Sequence, residues 1–399
     1  MPAIVWDAAV VAAPATMRRN AMDVAQNEVP SSSDLRLVTA AQLRTTLPAR
    51  SCALALVRRT REALARIVRR DDGRIALVVG PCSIHDSHAA LEYARRLARL
   101  RDMHRDAVEI VMRVYLEKPH TAPGWAGLIH DPRLDGSRRI AEGLHRGRQL
   151  LLDIHEIGVP AAMEFVDLMT VRYFDDLVSW AAIGARTAQS QMHRQAASGL
   201  SMPIGFKNGT DGNVGVAIEA VLAARAPQRY LSLSMNGRIE TVESDGNAAA
   251  HVVLRGGEQP NYDSDSVDST CAALLRAGAR DAVVVDAGHG NSGHVARAQV
   301  DVCRDLAQRI AGGERRIAGV MIESHLAHGR QDVDMPARLA YGQSITDECL
   351  GWAETADMIH LLAAAVRARR RAALESDALA ARTAHALWRQ RAGIRERRC

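Results

Sequence analysis

Eight short apolar runs, each followed by a stretch of helical periodicity, constrain this chain more than any other feature. They occupy residues 75–79, 108–114, 160–165, 181–185, 203–206, 251–254, 282–285 and 317–322. A strand buried on both faces reads as an unbroken apolar run, which is how the strands of a parallel sheet covered by helices are written. Eight such strand and helix units can close on themselves, so the expected fold class is α/β, a (β/α)8 TIM barrel. Between the fifth and sixth runs, residues 230–235 and 238–243 flank Asn236-Gly237, a two-residue hairpin signal, and predict an inserted β-hairpin. An N-terminal arm is expected over 1–50, where turn formers collect at Pro30-Ser31-Ser32-Ser33, then the barrel over 51–367. The Arg- and Ala-rich residues 368–399 read as a tail of one or two exposed helices, either solvated or in contact with another subunit.

Barrel active sites are built at the carboxyl ends of the strands, so functional side chains belong just after each run. The eight runs are closed or followed by Cys82, Arg113, Glu164, Arg186, Lys207, Arg255, His289 and Glu323, in that order. Arg113, Lys118, Arg186, Lys207 and Arg255 are cations, too many to bury together unless an anion of more than one charge neutralises them. A substrate carrying phosphate and carboxylate groups meets that requirement, with Arg forks gripping in bidentate fashion and Lys offering a point charge or a proton. Cys82, His289 and Glu323, joined by Asp347 after the last run, combine a thiol, an imidazole and two carboxylates. That mixed set suits one divalent ion of Mn, Fe, Co or Zn. Taken singly, each has an ordinary explanation: a Cys after a strand usually packs, and a lone His usually makes a structural hydrogen bond.

Composition sharpens the reading. All but two of the 51 basic residues are arginine, and the exceptions are Lys118 and Lys207. In a chain that uses Arg wherever a surface cation suffices, two retained lysines mark places where a compact, tunable ammonium is needed; chance survival on the surface is the alternative. The net charge of +5 raises the question of nucleic acid, but only 4% of residues are aromatic and no basic stripe with interleaved aromatics occurs. Six cysteines without a CxxC pair fit a reducing compartment. No secretory signal or membrane-length run is read, and a cytoplasmic protein is expected.

The motifs at these positions are long: Gly80-Pro-Cys-Ser-Ile-His-Asp86, Met112-Arg-Val-Tyr-Leu-Glu-Lys-Pro119, Gly184-Ala-Arg-Thr187, Gly205-Phe-Lys-Asn-Gly-Thr-Asp-Gly212, Leu254-Arg-Gly-Gly257, Glu323-Ser-His-Leu326 and Ser344-Ile-Thr-Asp347. From about residue 34 to 367 the chain resembles the class I 3-deoxy-D-arabino-heptulosonate 7-phosphate (DAHP) synthases. The resemblance implies a metal held by Cys82, His289, Glu323 and Asp347, and phosphoenolpyruvate held by Arg113, Lys118, Arg186, Lys207 and Arg255, with Ala185 beside them. It implies condensation with erythrose 4-phosphate, the first step of the shikimate pathway. Lys118 is the expected proton donor to the new alkoxide and Glu164 the group orienting water. A homodimer or homotetramer is the expected assembly.

Two departures bear on specificity. The family motif continues Lys-Pro-Arg-Thr, and here it reads Lys118-Pro119-His120-Thr121. His120 and Thr121 are the expected aldose phosphate contacts, and a histidine is only partly charged near neutrality and lacks a bidentate fork. Weaker or pH-sensitive aldose binding, or a different aldehyde, follows. The segment Leu168-Met-Thr-Val171-Arg172 has Val where relatives often carry Pro, so inhibition by Phe, Tyr or Trp is not assumed, and a copy serving a specialised-metabolite pathway is one reading. A weakly active regulatory homologue is the reading from another class.

Overall fold

The apolar runs pair side by side into a closed parallel barrel. A computed structural model describes residues 37–119, 124–333 and 338–391, and the unit Val38–Cys399 contains the barrel. Its strands are β1 (Ile75–Gly80), β2 (Val108–Arg113), β3 (Ala161–Glu164), β4 (Val178–Ile183), β5 (Ile204–Lys207), β8 (His251–Leu254), β9 (Val283–Asp286) and β10 (Ile317–Glu323). They neighbour one another in the circular order β1-β10-β9-β8-β5-β4-β3-β2. The missing numbers belong to the inserted hairpin, β6 (Gln228–Leu233) and β7 (Ile239–Ser244), which pair antiparallel. Among the described residues each barrel strand is followed by one α-helix: α3 (Ser87–His104), α4 (Ile140–Glu156), α5 (Val171–Phe174), α6 (Gln191–Ser198), α7 (Gly215–Arg225), α8 (Ser264–Arg276), α9 (Ala298–Ala311) and α10 (Trp352–Arg391). Two more, α1 (Ala40–Thr46) and α2 (Ser51–Val68), precede β1.

Alternation along each strand sorts the core into two shells. In β1, Ala76 and Val78 point inward, among Val111, Ala162, Trp180, Ala182, Val253, Val284 and Met321. Ile75, Leu77 and Val79 point outward, to the layer shared with the helices. Trp180 fits inside the barrel because Gly205 faces it: a Cβ there would come within 2.5 Å of the indole. Leu64 and Ile67 of α2 belong to the inner shell, and Arg61 of the same helix donates to the carbonyl of Val178, the first residue of β4, at 2.9 Å. Helix α2 therefore plugs the amino end of the barrel, and the loops at the carboxyl end are left to form a site.

One local expectation needs correction. The hairpin turn has three residues, because Ser234 N donates to Arg238 O at 2.8 Å and Gly237 N to Ser234 O at 3.0 Å. Gly237 takes φ +73°, so it supplies the left-handed residue of a bulged turn, and Asn236-Gly237 does not form a two-residue loop. The described part of the Arg- and Ala-rich tail is helical and continues the last barrel helix: α10 begins at Trp352, packs first against the barrel, and runs on to Arg391. Among the described residues, no helix is long and apolar enough to cross a membrane.

Candidate active site

At the carboxyl end of the strands lies a cavity of about 220 Å³. Cys82, Arg113, Lys118, Glu164, Ala185, Arg186, Lys207, Arg255, His289 and Asp347 all reach its wall, as do Tyr115, Pro119 and His294. The sequence-predicted residues thus come together, and both lysines are among them. Glu323 stands behind this wall, 2% exposed, hydrogen-bonded to Arg113 at 3.1 Å. His120 and Thr121 lie outside the described residues.

Local backbone rules explain how each group arrives. Gly184 follows β4 without a side chain because a Cβ there would meet the Glu164 carboxylate at 2.2 Å, so the glycine clears the space into which Glu164 projects from β3. Arg113 ends β2 with its guanidinium over the Tyr115 ring, 4.0 Å from the centroid. His289 follows β9 in a left-handed conformation, φ +53°, uncommon for a residue with a side chain and often a mark of a functional position.

Cys82, Glu323 and Asp347 each present one donor atom, and the three lie within 4.8 Å of one another. His289 joins them from the side, its Nε2 3.7 Å from Glu323 Oε1 and its Nδ1 2.9 Å from Asp286 Oδ2. A carboxylate behind Nδ1 leaves Nε2 free to donate its lone pair, the usual arrangement of a ligating histidine. The donor set fits a divalent cation: burial, with Glu323 adding to it, pushes the Cys82 thiol up to about 12, and a bound cation would favour the thiolate over the thiol. Lys118 Nζ donates to Cys82 Sγ at 2.9 Å and to Asp347 Oδ2 at 2.8 Å. Burial works against its charge, yet Cys82 and Asp347 outweigh burial and hold the ammonium above the ordinary lysine value. Asp347 shows the reverse balance, with Lys118 overcoming burial and holding the carboxyl well below the usual range.

Sequence reading missed Asp286. It is fully buried, 3.2 Å from Lys207 Nζ and 2.9 Å from His289. Burial opposes its ionisation, but His289 and Lys207 prevail and keep it well below the carboxylate range. Its place at the end of β9, three residues before His289, was the available signal. Arg255 makes the opposite case: 7% exposed, it donates to the carbonyl of Gly256 at 3.2 Å. Burial lowers the Arg255 pKa despite the partial compensation of Asp286. A guanidinium in that state is stabilised by an incoming anion.

A family model described as the DAHP synthetase I family matches residues 53–360. The chain belongs to the DAHP synthetase I family. Among curated members, it is 51% identical over 323 residues to the Phe-sensitive phospho-2-dehydro-3-deoxyheptonate aldolase of Escherichia coli K12, covering 81% of this chain and 92% of the relative. The Trp-sensitive enzyme of the same strain is 46% identical over 333 residues, covering 84% and 96%. The solved phospho-2-dehydro-3-deoxyheptonate aldolase of Francisella tularensis SCHU S4 superposes with a TM-score of 0.82 at 44% identity, covering 84% of this chain and 98% of that one. The barrel, including its closure, is therefore that of the family.

Proposed function

We propose that this chain condenses phosphoenolpyruvate with erythrose 4-phosphate and water, giving DAHP and inorganic phosphate, the opening step of the shikimate pathway. The observation that carries this reading is the adjacency of Arg113, Lys118, Arg186, Lys207 and Arg255 to the thiol and carboxylate cluster on one cavity wall. The cations match a phosphate and a carboxylate on one small molecule, and water-poor surroundings strengthen each contact. Carbon 3 of phosphoenolpyruvate forms the new bond to the aldehyde carbon, and the aldehyde oxygen takes a proton, for which Lys118 is the proposed donor. Water adds at carbon 2, oriented by Glu164, and the bond from carbon 2 to the phosphate oxygen then breaks. Phosphate leaves and the carbonyl remains.

Cys82, His289, Glu323 and Asp347 would hold one divalent ion, Mn, Fe, Co or Zn, whose chemistry is to draw electron density from the aldehyde oxygen. Ala185, His120 and Thr121 complete the proposed substrate contacts. A cytoplasmic homo-oligomer, dimer or tetramer, completes the proposal. The test is direct: metal-reconstituted protein, phosphoenolpyruvate and erythrose 4-phosphate should release phosphate in step with a product of DAHP mass. Phosphate release with another aldose but not with erythrose 4-phosphate would favour the second reading, a changed aldehyde substrate, to which His120 in the Lys-Pro-His-Thr motif points.

A further inference from the structure

Lys118 does not sit on a strand. It follows β2 in a loop whose later part, residues 124–131, folds back beside it: Lys118 N donates to Ala126 O at 3.1 Å, and Ile129 N to Leu116 O at 3.2 Å. The approach is close enough that a Cβ on Gly127 would lie 2.4 Å from the Leu116 carbonyl. Beside Lys118, the Glu117 carboxylate is 1% exposed and gathers the surrounding loops. It accepts from Thr170 Oγ1 at 3.3 Å and from the backbone N of Val166 and Asp167, each at 3.4 Å. Its fourth partner is His130 Nε2 at 3.2 Å, on the returning segment.

We propose that His130 is a positioning residue for Lys118, fastening the return segment to Glu117 so that the main chain carrying the ammonium is held in register. The backbone bonds to Ala126 and Leu116 tie the return segment to the main chain of the lysine loop, and the other three contacts to Glu117, from the 166–170 loop, are long at 3.3–3.4 Å. The contact to His130 joins the two ends of the lysine loop through side chains. When the imidazole is protonated, the contact is a charge-assisted hydrogen bond, roughly twice as strong as a neutral one. Groups facing the ring are Glu117 of its own loop, Asp167 of the loop after β3, and Arg138 ahead of α4. Glu117 raises the His130 pKa above its ordinary value against the effect of burial, Asp167 adds to this, and Arg138 opposes it. A raised value means that the fastening is intact at low pH and weakens as pH rises through the folded-state pKa.

This inference rests on the reading of Lys118 as the donor in the proposed reaction, and the experiment separates the two. The metal-loaded wild type and His130→Gln are compared for turnover between about pH 6 and about pH 9, while the His130 ring is titrated by NMR in the wild type and in Glu117→Gln. The ratio of wild-type to His130→Gln kcat should fall roughly three- to tenfold as pH rises, with KM for phosphoenolpyruvate unchanged. The ring should titrate above 6.5 and drop when Glu117 is neutralised. A pH-independent ratio, or a ring titrating at or below the free value, overturns the positioning role. If the wild type makes no DAHP the functional reading fails, and the ring titration still decides whether the His130 and Glu117 pair exists.

Discussion

Both lysines of an otherwise arginine-only set of basic residues meet on one cavity wall, each beside a carboxylate: Lys118 with Asp347, Lys207 with Asp286. The pairing differs in depth. Asp347 is partly exposed and Asp286 is wholly buried. Lys118→Arg keeps the charge but replaces a compact ammonium with a delocalised guanidinium that is a weaker proton donor, so turnover should fall about 10²- to 10³-fold while metal per chain, measured by atomic emission, stays the same. Retained turnover would remove the donor role. Asp286→Asn leaves Lys207 buried beside a neutral amide and removes the negative charge behind His289. Breaking a buried pair of this kind costs about 3–5 kcal/mol, so the unfolding midpoint in urea should drop and metal affinity weaken about 10- to 100-fold. An unchanged midpoint would show that the pair is not a net contributor. Cys82, His289, Glu323, Arg113, Arg186, Lys207 and Arg255 were legible in sequence because each closes or follows an apolar run, and Lys118 because it is one of only two lysines. Asp286 was not, because an acid at the end of such a run looks like any other until closure brings Lys207 from β5 against it.

At the level of elements, the inner shell of the barrel holds Trp180, whose Nε1–H donates to His251 Nε2 at 3.2 Å, linking β4 to β8. His251 in turn donates from Nδ1 to Ala249 O at 2.9 Å, so the ring is neutral and fully used. Burial lowers its pKa to about 4. The unfolded chain takes up a proton near 6.5 and the folded one does not, so stability is lost as pH falls from about 6.5 to about 4, by roughly 3 kcal/mol at most for this group. Urea unfolding of the wild type and His251→Leu across that range should show a shallower decline in the variant; equal slopes would assign the effect elsewhere. Helix α2 supplies the floor. Leu64→Ala, at a wholly buried position of the inner shell, should cost about 2–5 kcal/mol by denaturant unfolding, with bound metal unaltered because the ligands stand at the opposite end. Periodicity could reveal α2 as amphipathic, but not that its apolar face would close a barrel, since nothing local to a helix names its partner.

For the whole molecule, the long C-terminal helix divides at a definable point. Arg367 forms a two-pronged contact with Asp106, at 2.8 and 2.5 Å, and Arg369 donates to Glu314 O at 2.6 Å and Gly73 O at 3.0 Å. From residue 371 onward, every side chain whose burial is described is exposed, including Leu374, Leu379 and Trp388. A chain ending after Arg371 should therefore keep its melting temperature and its turnover, whereas one ending after Val366 loses these contacts and should melt several degrees lower in calorimetry. Equal melting temperatures for the two truncations would show that the arginine contacts add no stability.

The sequence by itself determined the alternation of strand and helix, the number of strands and the chemical types waiting at their ends, because backbone burial and side-chain periodicity are local properties written residue by residue. The tertiary structure decided which of those groups touch. Cys82 stands more than two hundred residues before Glu323 and Asp347, yet the three have donor atoms within 4.8 Å, and only closure of the barrel, with its fixed register, converts that separation into contact. The same holds for Glu117 and His130: the loop must fold back before an acid and an imidazole can share a proton, and no spacing rule along the chain encodes that return.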